Sequence, residues 1–301
     1  MGPVTVRDAH PRDAAGIAWV WAAAVPYLVR SDARATRDLE QDAELGRCRW
    51  VAELDGRVAG VSAARPDGET GSRIGVEVHP DLGSRGVGTA LLGAALLAFP
   101  DVEVVTAVCN ADPIAMSFAV RHNFVPEAEH QVARAVPADV APPGPVPAGL
   151  HELRLDQVDL GALLSTYNLT ADDDPSGLSE HYDEATFHAD WWDGPDNAPD
   201  LSWALVEETG DVPQVVAFSS EQVDRPRRRA WTAMTGTHPD HRGMGLATWV
   251  KRRSMLSLAE AKVREAWTAN DATNAPMLAV NRALGYQPAA RSIRVVRRLH
   301  P

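Results

Sequence analysis

Two short stretches of this chain have the residue types of an anion cradle. One is Arg242-Gly243-Met244-Gly245-Leu246-Ala247, with Thr248 after it. The other is Gly83-Ser84-Arg85-Gly86-Val87-Gly88. Each follows a strand-like run and opens an apolar helix. Glycines at that junction let backbone N–H groups gather at a helix N-terminus, where phosphate is stabilised. Gly243 and Gly245 remove side chains that would block a pyrophosphate, and Thr248 adds a hydroxyl. The order Gly83-x-x-Gly86-x-Gly88 is not the Gly-x-Gly-x-x-Gly of dinucleotide enzymes, and the second copy lacks the third glycine. That reading is set aside.

The two stretches belong to an internal repeat. His79-Pro80-Asp81 recurs as His238-Pro239-Asp240, and Gly86 recurs as Gly245, both 159 positions on. A second echo follows in the same order, AMSFAVRHNF at 115–124 and MLAVNRALGY at 277–286, offset by 162. A chain of 301 residues has room for two such units.

The second copy resembles the GNAT superfamily of acyl-CoA-dependent N-acyltransferases. Its 242–247 loop fits the superfamily's Arg/Gln-x-x-Gly-x-Gly/Ala pyrophosphate pattern. Thr268-Ala269-Asn270, Asn274, Pro276-Met277-Leu278, Asn281 and Leu284-Gly285-Tyr286 look like its cofactor-flanking strand and helix. The whole chain resembles the actinobacterial tandem-GNAT proteins, of which mycothiol synthase is one.

The resemblance implies an α/β chain of two tandem GNAT-like domains, each a twisted mixed sheet flanked by helices. Two central strands would splay to admit a pantetheine arm. Acetyl-CoA is the implied cosubstrate, no metal is implied, and a primary amine would attack the thioester directly. The strand Met234-Thr235-Gly236-Thr237 would lend a backbone N–H to the thioester oxygen, a contribution that needs no particular side chain. Asn270, Asn274 and Asn281 would line the cofactor. In the first half the matching positions are Val76, Val78, Arg85, Gly86, Val87 and Gly88.

The chain also departs from the pattern. Many family members carry a tyrosine that protonates the departing thiolate, where this chain has Asn281 in one half and Ala119 in the other. A thiol pKa of about 8.5 makes the thiolate a tolerable leaving group without it. Trp231 stands where mycothiol synthase has a glutamate, which argues against that particular enzyme. In the first half Gly83 replaces the expected Arg or Gln, Asp112 matches Asn274, and Asn123 matches Gly285. The second half is therefore expected to be catalytic and the first partly degenerate.

An alkylammonium must lose a proton before attack, which calls for a carboxylate or histidine. Glu221 is the choice, because its strand should abut the cofactor strand. Asp224, Glu180 and His181 are weaker alternatives. The acidic stretch 172–200 is interleaved with Tyr182, Trp191 and Trp192. Asp172, Asp173, Asp174 and Trp191 are assigned to the acceptor, since acid and aromatic groups together suit a small cationic amine. The cluster Arg225, Arg227, Arg228 and Arg229 reads as a solvated turn. A non-catalytic acyl-CoA binder or sensor is the competing reading.

Composition narrows the classes. Hydrophobic residues make up 45%, enough for ordinary cores, and the net charge of −12 argues against a nucleic-acid binder. Cys48 and Cys109 form no Cys-x-x-Cys pair, which argues against a disulfide framework or structural zinc. Charged residues near the start interrupt any signal peptide, and the run 15–29 is too short to span a bilayer. A cytoplasmic protein with no membrane partner is expected; no motif addresses oligomeric state.

The elements that must position these groups follow from periodicity and turns. Strands are expected at 4–7, 49–62 as a hairpin turning at Asp55-Gly56, 74–78 and 102–108, with helices at 13–24, 85–99 and 113–122. Residues 136–149 hold five prolines and two glycines and read as a linker between domains 1–135 and 150–301. The pattern then restarts, with strands at 151–155, 202–207, 214–223, 231–237, 263–268 and 293–299, and helices at 160–167, 243–258 and 275–284.

Overall fold

The computed structural model describes residues 2–83, 85–176, 179–208 and 213–299. In the first half the order is β1 (Thr5–Asp8), α1 (Ala14–Ala24), α2 (Asp32–Gln41), β2 (Cys48–Leu54), β3 (Arg57–Asp67), β4 (Gly71–Val78), α3 (Val87–Leu97), β5 (Val104–Asn110), α4 (Pro113–Arg121) and β6 (Val125–Ala135). The second half repeats it with β7 (Leu150–Arg154), α5 (Leu160–Ala171), α6 (Glu184–Thr186), β8 (Trp203–Glu207), β9 (Gln214–Asp224), β10 (Arg229–Thr237), α7 (Leu246–Glu260), β11 (Glu265–Asp271), α8 (Ala275–Ala283) and β12 (Gln287–Arg298). A π-helical turn, Phe187–Trp192, continues α6.

The chain has two compact units: residues 1–129 with 291–301, and residues 130–290. In the first, the sheet runs β1-β2-β3-β4-β5-β12, with β4 and β5 parallel and the other pairs antiparallel. In the second it runs β6-β11-β10-β9-β8-β7, with β10 and β11 parallel. Each is a mixed sheet flanked by helices, as expected. The last strands are exchanged. Ser292 to Arg298 pair with β5, whereas 130–135 pair with β11. The unit boundaries thus differ from the 136–149 division read from composition. Proline content reports local stiffness, not which sheet a neighbouring strand joins. Residues 137–139 form a 3₁₀ turn with Pro137 buried, and Trp249 Nε1 donates to the carbonyls of Gly144 (3.0 Å) and Pro145 (3.2 Å).

The first unit buries Ile17, Val20 and Trp21 of α1 against Val51 and Val61, and Leu92 and Ala95 of α3 against Ile74 and Val105. Helix α2 was not foreseen. It is capped by Ser31 and held by Arg49, whose guanidinium pairs with Asp38 (3.1 Å) and Asp42 (2.7 Å). In the second unit α7 lays Met255 and Leu258 on Ala230 and Ala266, while α5 packs Leu163 and Tyr167 with Phe187 and Phe218.

Candidate active site

The repeated His-Pro-Asp triplet is a built turn. His238 Nδ1 accepts from the Asp240 N–H (3.4 Å), and His79 Nδ1 accepts from the Asp81 N–H (3.3 Å). Proline opens a 3₁₀ turn in both copies. Beyond it, Gly243 and Gly245 hold φ of 76° and 78°, and no atom lies within 4 Å of where a Cβ would stand on either. Both conditions suit glycine: left-handed backbone and open space for a ligand. Gly245 is the N-cap of α7 and offers no side chain to its first-turn N–H groups. Leu246 is buried and anchors the turn, Ala247 and Thr248 are half-buried, and Met244 is exposed. These features fit a pyrophosphate.

The parallel pairing of β10 with β11 stops at Trp231 and Trp267, although both strands continue. This is the splay. On its other edge β10 stays paired with β9, with one extra residue, Ala233, between Thr232 and Met234. Such bulges re-aim backbone groups beside functional sites. Thr235 and Thr237 are half-buried on the splayed stretch. Gly236 is needed for packing, since a Cβ there would stand 2.6 Å from the Phe218 ring. In the first unit β4 and β5 part after Arg73 and Thr106, but β4 pairs with β3 without a register shift.

In that first copy Gly86 has φ 82° and Val87 is buried. Val76 and Val78 are half-buried and Arg85 is exposed. A Cβ on Gly88 would meet the Phe118 ring at 3.2 Å. Two apparent departures are conformationally neutral. Asn123 holds φ 63° where Gly285 holds 78°, a conformation asparagine tolerates. Asp112 caps α4 through the N–H groups of Ile114 and Ala115, as Asn274 Oδ1 caps α8 through that of Met277.

Glu221 lies on β9 beside β10, as its sequence position implied, but it is 0% exposed. Its Oε1 accepts from Ser219 Oγ and its Oε2 from Thr232 Oγ1, each at 2.9 Å. Burial pushes its pKa up, opposed by the Lys251 charge. Lys251, on α7 and also 0% exposed, is pushed down by burial. Its Nζ donates to Asn281 Oδ1 (2.6 Å) and sits 4.8 Å from the Tyr286 ring centroid. Asn281 Nδ2 in turn donates to Asn270 Oδ1 (2.6 Å). Sequence reasoning singles out Glu221, Asn281 and Asn270 as candidates but not Lys251, because lysine is ordinarily a surface residue.

The acidic stretch is more committed than its composition suggested. Asp172 pairs with His181 (2.6 Å), and Asp174 Oδ1 accepts from the Ser176 N–H (3.0 Å). Asp173 pairs with Arg242 (2.7 Å), whose Nε also donates to the Thr237 carbonyl (3.3 Å). Trp191 packs on Phe187 at 4.8 Å between centroids and edge-on to Tyr167. Residues 177 and 178 lie outside the described residues. The arginine cluster is a hairpin end: Arg225 pairs with Asp200, Arg227 with Asp224 and Arg229 with Glu265. Among the described residues no group of three or more His, Cys, Asp or Glu could hold a metal ion, and no helix is long and apolar enough to cross a membrane.

Residues 17–124 match the model of the acetyltransferase (GNAT) family. That match falls in the half whose loop departs further from the pattern. Among curated proteins nothing matches. Among solved structures, the chain is similar to a tandem GNAT protein from the clavulanic acid biosynthesis pathway, at 22% identity over 99% of each chain and a TM-score of 0.76. It is similar to a GCN5-related N-acetyltransferase from Sphaerobacter thermophilus, at 20% identity over 99% of this chain and 96% of that one, TM-score 0.71. A putative acetyltransferase from Pyrococcus horikoshii shares the fold at 14% identity over 100% and 91%, TM-score 0.62. Residues 17–124 are therefore similar to a GNAT-family acetyltransferase domain, and the chain has the tandem GNAT fold over its length.

Proposed function

We propose that the chain is an acetyl-CoA-dependent N-acetyltransferase, working through its second half on the primary amine of a small cationic molecule. The observation that carries this reading is the parting of β10 from β11 beside a bulge, with the glycine loop 242–247 at the end of the parted strand. The loop N–H groups and Arg242 would hold the pyrophosphate, and Met234 to Thr237 would flank the pantetheine. A backbone N–H of the bulged strand would meet the thioester oxygen as it gains charge. The first half, where the family match lies, would hold a second acyl-CoA through Val76, Val78 and the 85–88 loop.

Glu221 is sealed from solvent, so it would serve as base at one remove. Ser219 Oγ donates to Glu221 and lies 3.4 Å from Thr235 Oγ1 on the splayed strand. A proton leaving the amine would pass Thr235 and Ser219 to reach the carboxylate. The base must be ionised, and its pKa is raised. Turnover should therefore fall with decreasing pH at a higher pH than an ordinary exposed carboxylate would give. Ser219→Ala should lower kcat by about a hundredfold or more and flatten that limb. An unaltered pH profile in Ser219→Ala would refute the relay.

Arg242 is shared between donor and acceptor sides. A pyrophosphate that takes Arg242 would free Asp173 for the acceptor's ammonium, which suits donor binding first. Asp173→Asn removes the competing anion. We expect acetyl-CoA affinity to rise by about twofold to fivefold at low salt, as for an exposed pair. The acceptor KM should rise with kcat little changed, and both effects should shrink with salt. Weaker acetyl-CoA binding would show that Asp173 supports the loop instead.

A non-catalytic acyl-CoA sensor is the second reading, favoured by the buried carboxylate and by Asn281 at the tyrosine position. Release of free thiol from acetyl-CoA across a panel of amines separates the two. Thiol release above background with any cationic amine supports the enzyme, and none across the panel supports the sensor.

A further inference from the structure

The most unusual group in the second unit is one that neither the loop nor the proposed proton path uses. Lys251 lies one turn into α7, wholly buried, with its Nζ on the Asn281 amide oxygen. Burying an ammonium costs several kcal/mol unless it is paired and hydrogen-bonded. A neutral residue could fill the same space, so a purely packing role does not account for lysine here. Glu221 supplies the opposite charge, and the Tyr286 ring faces the ammonium at 4.8 Å.

The consequence runs outward from Lys251. An asparagine side chain can turn end over end at little cost, exchanging donor for acceptor. Lys251 has donors and no acceptor, so it holds the carbonyl end of Asn281 toward itself. That forces Asn281 Nδ2 toward Asn270, whose Oδ1 accepts it at 2.6 Å. Asn270 then keeps its own Nδ2 hydrogens with no protein acceptor among the described residues. Asn270 is half-buried on the part of β11 that no longer pairs with β10.

We propose that Lys251 is a positioning residue for the cofactor site: through Asn281 it sets the orientation of Asn270, so that an amide donor stands ready at the splay for the carbonyl-rich pantetheine arm. This rests on the reading of the second unit as an acyl-CoA site. Hydrogen bonds in such a chain polarise one another, so a charged first donor also strengthens the last.

The test is calorimetric binding of CoA to the full-length protein, followed in the component of the isotherm that Gly245→Glu removes. Two double variants are compared, Glu221→Gln with Lys251→Met and Glu221→Gln with Lys251→Gln. Both eliminate the buried charge pair, but only glutamine keeps a donor for Asn281. Circular dichroism and thermal melting check that each is folded. The methionine form should lose about tenfold in CoA affinity and the glutamine form should retain most of it. Equal affinities in the two folded forms would overturn the proposal while leaving the cofactor site intact. If Gly245→Glu removes no component, the underlying site reading fails instead. A readout that needs no variant is the Lys251 Nζ nitrogen resonance of the wild-type protein. It should shift when CoA is added, and a resonance indifferent to CoA would likewise overturn the proposal.

Discussion

Gly245→Glu is expected to abolish acetyl-CoA binding at the second-unit loop while the protein stays folded. The backbone there has φ 78°, and no atom lies within 4 Å of the new Cβ, so the side chain enters open space. The left-handed conformation costs a non-glycine residue about 1–2 kcal/mol, less than an ordinary domain's stability of about 5–15 kcal/mol. The carboxylate would stand at the N-terminus of α7, where the pyrophosphate would need the same N–H groups. Gly245→Asn is the control, since asparagine tolerates the conformation and carries no charge. It should bind much more tightly than the glutamate variant. Calorimetry on folded protein decides it, and unchanged affinity in Gly245→Glu would remove the site assignment altogether.

Lys251→Met alone should cost about 3–5 kcal/mol of stability, because it strands Glu221 as an uncompensated buried carboxylate. The loss should depend on pH, and its sign follows from the direction of the Glu221 shift. Burial raises the Glu221 pKa in the folded state above its unfolded value, and Lys251 is the charge that opposes this. Without Lys251 the folded state binds its proton still more tightly than the unfolded chain does. Stability is then present at low pH and lost as pH rises through the folded pKa. Urea denaturation at pH 6 and pH 8 should show the variant weaker at the higher value. Adding Glu221→Gln should recover most of the loss at both. Equal losses at the two pH values would mean that Glu221 is not the stranded group.

Much of this site was legible because its parts are local. A glycine loop between a strand and an apolar helix is written in consecutive residues, and His-Pro-Asp specifies its own turn in both copies. Asn274 and Asn281 stand out by their spacing on one helix and Asn270 by the family resemblance, although Asn274 spends its side-chain oxygen on a helix cap. What was not legible depends on contact between distant segments. Helix α2, DARATRDLEQ, is mostly charged and polar, and Ala35 is its only buried residue. Its support comes from Arg49, on a later strand. Lys251 reads as a surface residue until Glu221 and Asn281 are placed around it. The aspartates at 172–174 read as charge for the acceptor, yet each has a partner that sequence could not assign. The destinations of β6 and β12 were hidden for the same reason, since alternation marks a strand but not its neighbour.

That exchange of last strands bears on how such a chain can change over generations. Each half of the gene encodes an incomplete sheet and lends its final strand to the other. A half whose loop stops binding a cofactor still cannot be discarded, because 130–135 would be missing beside β11 and 292–298 would have no β5 to join. Loss of function in one copy is therefore separated from loss of the copy. Mutations can accumulate around Gly83 and Ala119 while the strands they flank stay under selection for folding.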